Sequence, residues 1–155
     1  MSDEHRIARR VADKLLAADA FSRWLGIELV DVGPRRSALR MTVRDDMVNG
    51  FGICHGGVTY SLADSALAFA CNSHGRLAMA LENSIGYPAP VRVGDVLTAT
   101  ADAESVTRRV GFYRITVTNQ HDAPVAHFRG TVYDTGRPHF PDDPSDGQDA
   151  PPRSE

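Results

Sequence analysis

Apolar positions recur along the first part of the chain with two different periods. Residues 3–21 carry apolar side chains at helical spacing with charged side chains between them, which predicts an amphipathic helix. Residues 27–32 and 37–43 predict two strands, and in the second strand apolar and polar side chains alternate. The first 43 residues therefore predict one helix followed by a pair of strands.

The next segment is apolar on nearly all sides. Residues 49–57 are rich in glycine, and residues 58–72 follow with almost no polar interruption before a stop signal from Asn72 to Gly75. A helix with apolar side chains all around is expected to be buried in a core or enclosed by a sheet. We therefore predict a central buried helix over residues 58–72.

Strand-like stretches with short connections follow this helix, and short connections favour antiparallel pairing. A long apolar helix and a mostly antiparallel sheet define an α+β domain. From residue 136 the composition shifts to proline and aspartate, so we predict one domain over 1–135 and a disordered acidic, Pro-rich tail over 136–155. The four further strands are predicted over residues 77–87, 96–106, 110–118 and 125–133.

Composition sets limits on partners and location. The formal net charge of −3, from 17 basic and 20 acidic side chains, argues against nucleic acid as the main partner. The two cysteines, Cys54 and Cys71, are too few for a disulfide framework. The polar N-terminus has no signal-peptide core, and no stretch approaches the roughly 20 apolar residues of a membrane span. We expect a cytoplasmic protein of one domain with no membrane partner.

Asp64 is the exceptional residue of the buried helix. Aspartate is a poor residue for a helix interior, and burying an unpaired carboxylate costs on the order of several kcal/mol. At helical spacing its neighbours are Tyr60, Ser61, Leu67 and Ala68. Two interpretations stay open: an aspartate that faces solvent or bonds a neighbouring strand, and a general base or nucleophile in a dry pocket.

The glycine-rich loop ends at His55-Gly56-Gly57, where the buried helix begins. Helix N-termini carry free N–H groups and a positive partial charge, and glycine lets a ligand approach the backbone. The Gly56 amide could polarise a carbonyl oxygen as an oxyanion hole does, or the loop could be only a tight turn into the helix. His55 has no second ligand at metal-binding spacing, so no metal site is predicted, and Cys54 is a weak candidate for a nucleophile.

Four short motifs lie in this region: Asn49-Gly50, His55-Gly56-Gly57, Leu62-Ala63-Asp64 and Ala70-Cys71-Asn72-Ser73. With the stretch from Tyr87 to Asp95, they resemble the phenylacetic acid degradation (PaaI-type) thioesterases of the hotdog superfamily, over about residues 10–135. The resemblance implies a hotdog fold, in which the antiparallel sheet wraps around the long helix, and pairing into dimers and then a homotetramer. It also implies hydrolysis of acyl-CoA thioesters, such as aryl- or (hydroxy)phenylacetyl-CoA, without a cofactor beyond the coenzyme A of the substrate.

The same resemblance implies active sites at the dimer interface. Asp64 of one subunit would activate water or attack the thioester directly. From the other subunit, the Gly56 amide would polarise the carbonyl, Asn49 would orient the water or the carboxylate, and His55 would hydrogen-bond near the carbonyl. The candidates for substrate binding are Gly57, Ser61 and Ser65.

The sequence departs from the family at one position and leaves several questions open. Some relatives place a Ser or Thr near the catalytic water, at a position that corresponds to Ala80 here, although Ser84 is close and Ser61 or Ser65 could substitute. A thioesterase for another aromatic acyl group, such as dihydroxynaphthoyl-CoA, and a non-catalytic acyl-CoA binding module are the alternatives. The candidates for holding the coenzyme A phosphates are Arg92, Arg109 and Arg129.

Overall fold

A computed structural model describes residues 1–142 of the chain. No helix in this range is long and apolar enough to cross a lipid bilayer. In chain order the elements are helices α1 (Asp3–Ala18) and α2 (Ala20–Leu25), strands β1 (Glu28–Gly33) and β2 (Arg36–Thr42), a 3₁₀ turn (Asp45–Met47), helix α3 (Gly56–Asn72), and strands β3 (Arg76–Gly86), β4 (Val96–Val106), β5 (Val110–Thr118) and β6 (Pro124–Pro138).

The six strands form one antiparallel sheet in the order β1-β2-β4-β5-β6-β3. Helix α3 contacts every strand of this sheet, which explains why the helix is apolar nearly all round. The prediction of an α+β domain with a sheet around a central helix is confirmed. The inner face of the sheet is lined by fully buried side chains, among them Leu39, Met41, Leu97, Ala99, Ala101, Tyr113, Ile115, Val117 and Phe128.

Strand β3 lies at one edge of the sheet and is paired only with β6 among the described residues. It carries a bulge between Ala80 and Glu82, so two successive parts of the strand differ in which residues face the helix. Met79 and Leu81 are 60% and 64% exposed on this edge. An edge strand of 11 residues with free backbone groups and apolar side chains is a surface that another strand can pair with.

The predicted helix over residues 3–21 is two helices. Asp19 ends α1 and caps α2, because its Oδ1 accepts a hydrogen bond from the Ser22 N–H at 2.9 Å. Helix α3 begins at Gly56, two residues before the predicted start, since the glycines form its first turn.

The domain extends past the predicted boundary at residue 135. Strand β6 continues to Pro138, and His139 is buried: its N–H donates to the Gly75 carbonyl oxygen at 2.7 Å. Lys14 donates to the His139 carbonyl oxygen at 2.6 Å, and the Arg10 guanidinium lies 4.3 Å from the centre of the Phe140 ring. Residues 136–138 therefore belong to β6, and His139 and Phe140 pack against α1. Of the predicted tail, residues 143–155 lie outside the described residues.

Candidate active site

The turn that enters α3 contains the residues of the predicted oxyanion site. His55 caps the helix: its Nδ1 accepts a hydrogen bond from the Gly57 N–H at 2.9 Å, and its carbonyl oxygen accepts one from the Val58 N–H at 2.9 Å. The Gly56 N–H is the first amide of the helix and has no intrahelical acceptor. This amide can therefore bind an oxygen atom of a ligand at the positive end of the α3 dipole.

The cap also fixes the state of the His55 ring. Because Nδ1 accepts a backbone hydrogen bond, the proton of the neutral imidazole lies on Nε2. His55 is exposed, so this N–H is available to a ligand that reaches the start of the helix.

Tyr87 closes over the first turn of α3. Its hydroxyl donates to the Gly56 carbonyl oxygen at 2.8 Å. A Cβ at position 56 would lie 3.1 Å from both Cζ and Oη of Tyr87, so only glycine fits without a shift of the ring or the turn. The sequence identified Tyr87 only as the start of a family segment, and its contact with Gly56 comes from the structure.

Asn49 organises the loop before α3. Its Oδ1 accepts hydrogen bonds from the Phe51 N–H at 2.9 Å and the Ile53 N–H at 3.4 Å, and its own N–H donates to the Ile53 carbonyl oxygen at 2.8 Å. The side-chain oxygen is therefore used within the loop. The group that Asn49 can present to a ligand or to a water molecule is its NH₂.

Asp64 is half-buried on the face of α3 that meets β3. Its Oδ1 accepts a hydrogen bond from Asn83 Nδ2 at 3.0 Å, and the same nitrogen donates to Tyr60 Oη at 3.1 Å. Burial raises the pKa of the Asp64 carboxyl, and the hydrogen bond from Asn83 opposes that rise. Asp64 thus does bond a neighbouring strand, yet that bond leaves one of its oxygens for chemistry.

One chain does not bring all the predicted residues together. Gly56, Tyr60 and Asp64 lie four residues apart on one face of α3. Eight residues of helix place Asp64 about 12 Å from Gly56 along the axis, which is too far for both to touch one thioester carbonyl. The structure groups His55 with Gly56, and it groups Asp64 with Tyr60 and Asn83.

The predicted substrate-binding residues lie on another side of α3. Ser65 Oγ is 2.9 Å from Ser22 Oγ, so Ser65 ties α3 to α2. Ser61 donates to the Gly57 carbonyl oxygen at 2.7 Å, and both residues line a cleft of about 190 Å³ next to the start of the helix. The other walls of this cleft include Phe21, Trp24, Met47 and Val58.

On the strand after α3, the polar side chain that reaches Asp64 is Asn83, which was not among the residues predicted from the sequence. Ser84 is exposed and, as the partner of Arg129, lies on the outer face of the sheet. Ala80 precedes the bulge and carries no polar group. Asparagine is disfavoured inside strands, and this was the one signal in the sequence that could have singled out Asn83.

Other chemistry has little support at this site. Burial raises the pKa of the Cys54 thiol, which keeps it protonated and poorly nucleophilic. Within residues 1–142, no group of three or more His, Cys, Asp or Glu side chains could hold a metal ion. The expected absence of a cofactor is left as a prediction.

Comparison with known proteins agrees with this architecture. The family model described as the Thioesterase superfamily matches residues 51–126. The solved structure of the PaaI protein from the phenylacetic acid degradation operon of Escherichia coli superimposes with a TM-score of 0.86 at 37% identity, covering 88% of this chain and 99% of that one. A six-stranded sheet around one long helix, with this match, defines a hotdog thioesterase.

Similarity of sequence gives the family. The chain is 41% identical to the acyl-coenzyme A thioesterase PaaI of Escherichia coli K12, over 76% of this chain and 84% of that protein. It is 30% identical to human acyl-coenzyme A thioesterase 13, over 72% of this chain and 82% of that protein. A Streptococcus mutans structure bound to acetyl-CoA superimposes with a TM-score of 0.70 at 28% identity, covering 72% of this chain and 90% of that one. The chain belongs to the PaaI-type family of hotdog-fold acyl-CoA thioesterases.

Proposed function

We propose that this enzyme hydrolyses acyl-CoA thioesters whose acyl group carries an aromatic ring, with aryl- or (hydroxy)phenylacetyl-CoA as the substrate class. The observation that carries the proposal is that one face of α3 has both a free amide, at Gly56, and a half-buried carboxylate, at Asp64. The aromatic acyl group is supported by the operon of the E. coli relative, and the cleft beside Gly57 offers Phe21 and Trp24 as aromatic walls.

The complete site requires two subunits in this proposal. Antiparallel pairing of two β3 edges would cover Met79 and Leu81 and would lay the two α3 helices side by side in opposite directions. In such a dimer we expect Asp64 of one subunit to lie opposite Gly56 of the other, twice per dimer, because the two residues are about 12 Å apart along each helix. We further propose that dimers pair into a homotetramer. Phe112 and Tyr133, which are 45% and 39% exposed on the outer face of the sheet, support this step.

In the proposed reaction, the thioester carbonyl oxygen accepts a hydrogen bond from the Gly56 N–H, and His55 Nε2–H would donate a second one. Asp64 accepts a proton from water as the water oxygen attacks the carbonyl carbon, which gives a tetrahedral oxyanion. The oxyanion collapses, the C–S bond breaks, and the thiolate of coenzyme A takes the proton from Asp64. The NH₂ of Asn49 would orient the water or the carboxylate.

For the coenzyme A phosphates, we favour Arg129 together with Arg114. These arginines are paired directly across β5 and β6, and each is 3.8 Å from the single carboxylate of Glu104. Two like charges in register leave an excess of positive charge that a phosphate would relieve. With His127 they line a cleft of about 430 Å³ at the end of β3. By contrast, the Arg109 guanidinium bonds the Asp134 carbonyl oxygen at 3.5 Å.

The proposed location of this reaction is the cytoplasm. Cys54 and Cys71 are both free thiols, as expected in a reducing compartment.

Thiol release from a panel of acyl-CoA esters tests the function. The panel contains phenylacetyl-CoA, its ring-hydroxylated forms, dihydroxynaphthoyl-CoA and straight-chain acyl-CoA esters, with wild type and Asp64→Asn compared at equal oligomeric state. We expect the highest kcat/KM for an aromatic ester and a loss of about 10²–10⁴-fold in Asp64→Asn. Binding of the esters without turnover in wild type would instead identify a non-catalytic binding module, and a preference for straight chains would overturn the aromatic substrate class.

A further inference from the structure

The amide of Asn83 makes the closest contact to Asp64 that the proposed reaction leaves unused. Asn83 lies on the inner face of β3, where its register partner on β6 is Gly130. Both hydrogens of its NH₂ group are engaged, one by Asp64 Oδ1 at 3.0 Å and one by Tyr60 Oη at 3.1 Å. A single strand residue therefore ties together two side chains that lie one turn apart on α3.

The position of the Asn83 amide depends on the absence of a side chain at Gly130. A Cβ at position 130 would lie 2.4 Å from Leu67 Cδ2 and 3.1 Å from Asn83 Oδ1, so any side chain there would displace the helix contact or the amide. The Asn83 amide is thus enclosed between β6 and α3.

The orientation of the amide follows from its two acceptors. Asn83 Oδ1 is buried and has no hydrogen-bond partner within residues 1–142, a state that is unfavourable for a polar atom. The opposite orientation of the amide would be less favourable when Asp64 is ionised, because it would turn Oδ1 toward the Asp64 carboxylate. The hydrogen bond to Tyr60 Oη adds a second reason for the NH₂ group to face α3.

We propose that Asn83 is a positioning residue for the hydrolysis, and that it holds Asp64 as an ionised carboxylate with Oδ2 directed to the attacking water. Tyr60 locks the amide in the orientation that does this. Its ring is itself held edge-on against Phe128, with ring centres 5.2 Å apart. The inference rests on the proposed function, since it assigns a further part of the same site.

Few other groups near Asp64 could stabilise its charge. On α3 the titratable neighbours are Tyr60 and Cys71, and burial raises the pKa of Cys71 to about 12, which leaves it neutral at pH 7. On β3 the carboxylate is contacted by Asn83, whose partner on β6 is Gly130, and neither residue ionises. Helix α2 contacts α3 through the uncharged Ser22 hydroxyl. In the proposed dimer, His55 of the second subunit is the remaining titratable group.

The replacement Asn83→Leu tests the role, because leucine has the same number of heavy side-chain atoms, is also branched at Cγ, and has no donor. We expect the Asp64 pKa to rise, so the acid limb of the kcat/KM profile moves to higher pH. At pH values below the acid limb, the loss of kcat/KM caused by Asn83→Leu is about 10-fold larger than at pH values above it. A residue with only a structural role would lower kcat/KM equally at all pH values and leave the limb in place.

Two further variants provide a second test and a control. Tyr60→Phe preserves the ring contact with Phe128 and removes only the second acceptor, and we expect a smaller shift of the acid limb in the same direction. Thr131→Val removes a hydroxyl from the outer face of β6 and serves as the control, with an unchanged limb. If Asn83→Leu does not fold into the wild-type oligomer, the outcome for Tyr60→Phe decides the proposal.

A readout without substrate separates this inference from the proposed function. Carbon-13 NMR of aspartate-labelled protein gives the Asp64 pKa directly, with Asp64→Asn to assign the signal. Wild type that releases no thiol from any acyl-CoA overturns the proposed function. An Asp64 pKa that is equal in wild type, Asn83→Leu and Tyr60→Phe overturns the role of Asn83, whatever the activity.

Discussion

Asp64 and Asn72 are polar residues about two turns apart on helix α3, one half-buried and one buried, and their surroundings differ. Asn72 is 4% exposed and fully satisfied: Nδ2 donates to the Ala68 and Ala78 carbonyl oxygens, and Oδ1 accepts from the Ala78 N–H and from His139. Asp64 has one donor, Asn83 Nδ2, within residues 1–142. A side chain whose every lone pair and proton is used holds structure, whereas one with a free oxygen can react.

The largest expected effect comes from replacing Asp64. Asp64→Asn preserves the size of the side chain and removes the base, so kcat for an aromatic acyl-CoA should fall by about 10²–10⁴-fold. Removing a half-buried charge should not lower Tm. Steady-state kinetics and a thermal melt on the same sample measure both. A variant that retains wild-type kcat would place the chemistry on another residue.

Asp64 could also attack the thioester directly, which would give an anhydride intermediate. A single turnover of wild type in ¹⁸O-labelled water, followed by mass spectrometry of the peptide with Asp64, detects an anhydride that water opens at the Asp64 carboxyl carbon. We expect the label only in the released acid, because Asp64 is proposed to take a proton from water. Label in the Asp64 carboxyl would establish an anhydride intermediate.

For Asn72 we predict the reverse result, a loss of stability with little change in kcat. Asn72→Ala leaves the Ala68 and Ala78 backbone groups and His139 without their buried partner, which should cost about 2–4 kcal/mol of unfolding free energy. Urea denaturation measures this loss. The kcat of the protein that remains folded should stay within about twofold of wild type, since Asn72 lies at the far end of α3 from Gly56. A large loss of kcat with unchanged stability would contradict the division of roles.

Gly56→Ala gives a smaller effect and tests the start of the helix. The added methyl lies 3.1 Å from the Tyr87 ring, and displacement of the first amide should lower kcat about 10–100-fold. Gly50→Ala in the same loop is the matched control, because a Cβ there meets no atom within 4 Å. The added change Tyr87→Ala in the Gly56→Ala protein makes room for the methyl and should restore part of the activity. No restoration would show that crowding by Tyr87 is not the cause.

The fold could be predicted from the sequence because its signals are local, and local signals also made Asp64 and Gly56 candidates for the site. The apolar run of α3 and the alternation in the strands gave the α+β class, and the exceptional aspartate and the glycines pointed to Asp64 and Gly56. Asn83 could not be found this way, since the bulge in β3 decides which residues face α3. The packing of His139 and Phe140 depends on contacts with α1, which lies more than a hundred residues earlier in the chain.

The smallest expected effect is the pH dependence of stability at Asp64. Burial raises its pKa in the folded state above the value in the unfolded chain. The protonated acid therefore contributes stability that is present at low pH and is lost as the pH rises through the folded pKa. Asp64→Asn resembles the neutral form at every pH. We expect the variant to match wild type in unfolding free energy at low pH and to be more stable than wild type at neutral pH.

Urea denaturation of both proteins across this pH range measures the difference, and Asp134→Asn provides the contrasting control. The Asp134 carboxyl is partly desolvated, but the Gly136 N–H, His74 and Arg76 outweigh that effect and lower its pKa. Wild type should therefore be more stable than Asp134→Asn at neutral pH, and this advantage should shrink as the pH falls. Opposite signs at the two positions would establish that α3 holds Asp64 at a cost in stability. The same sign at both would mean that Asp64 is as well stabilised as a structural carboxylate.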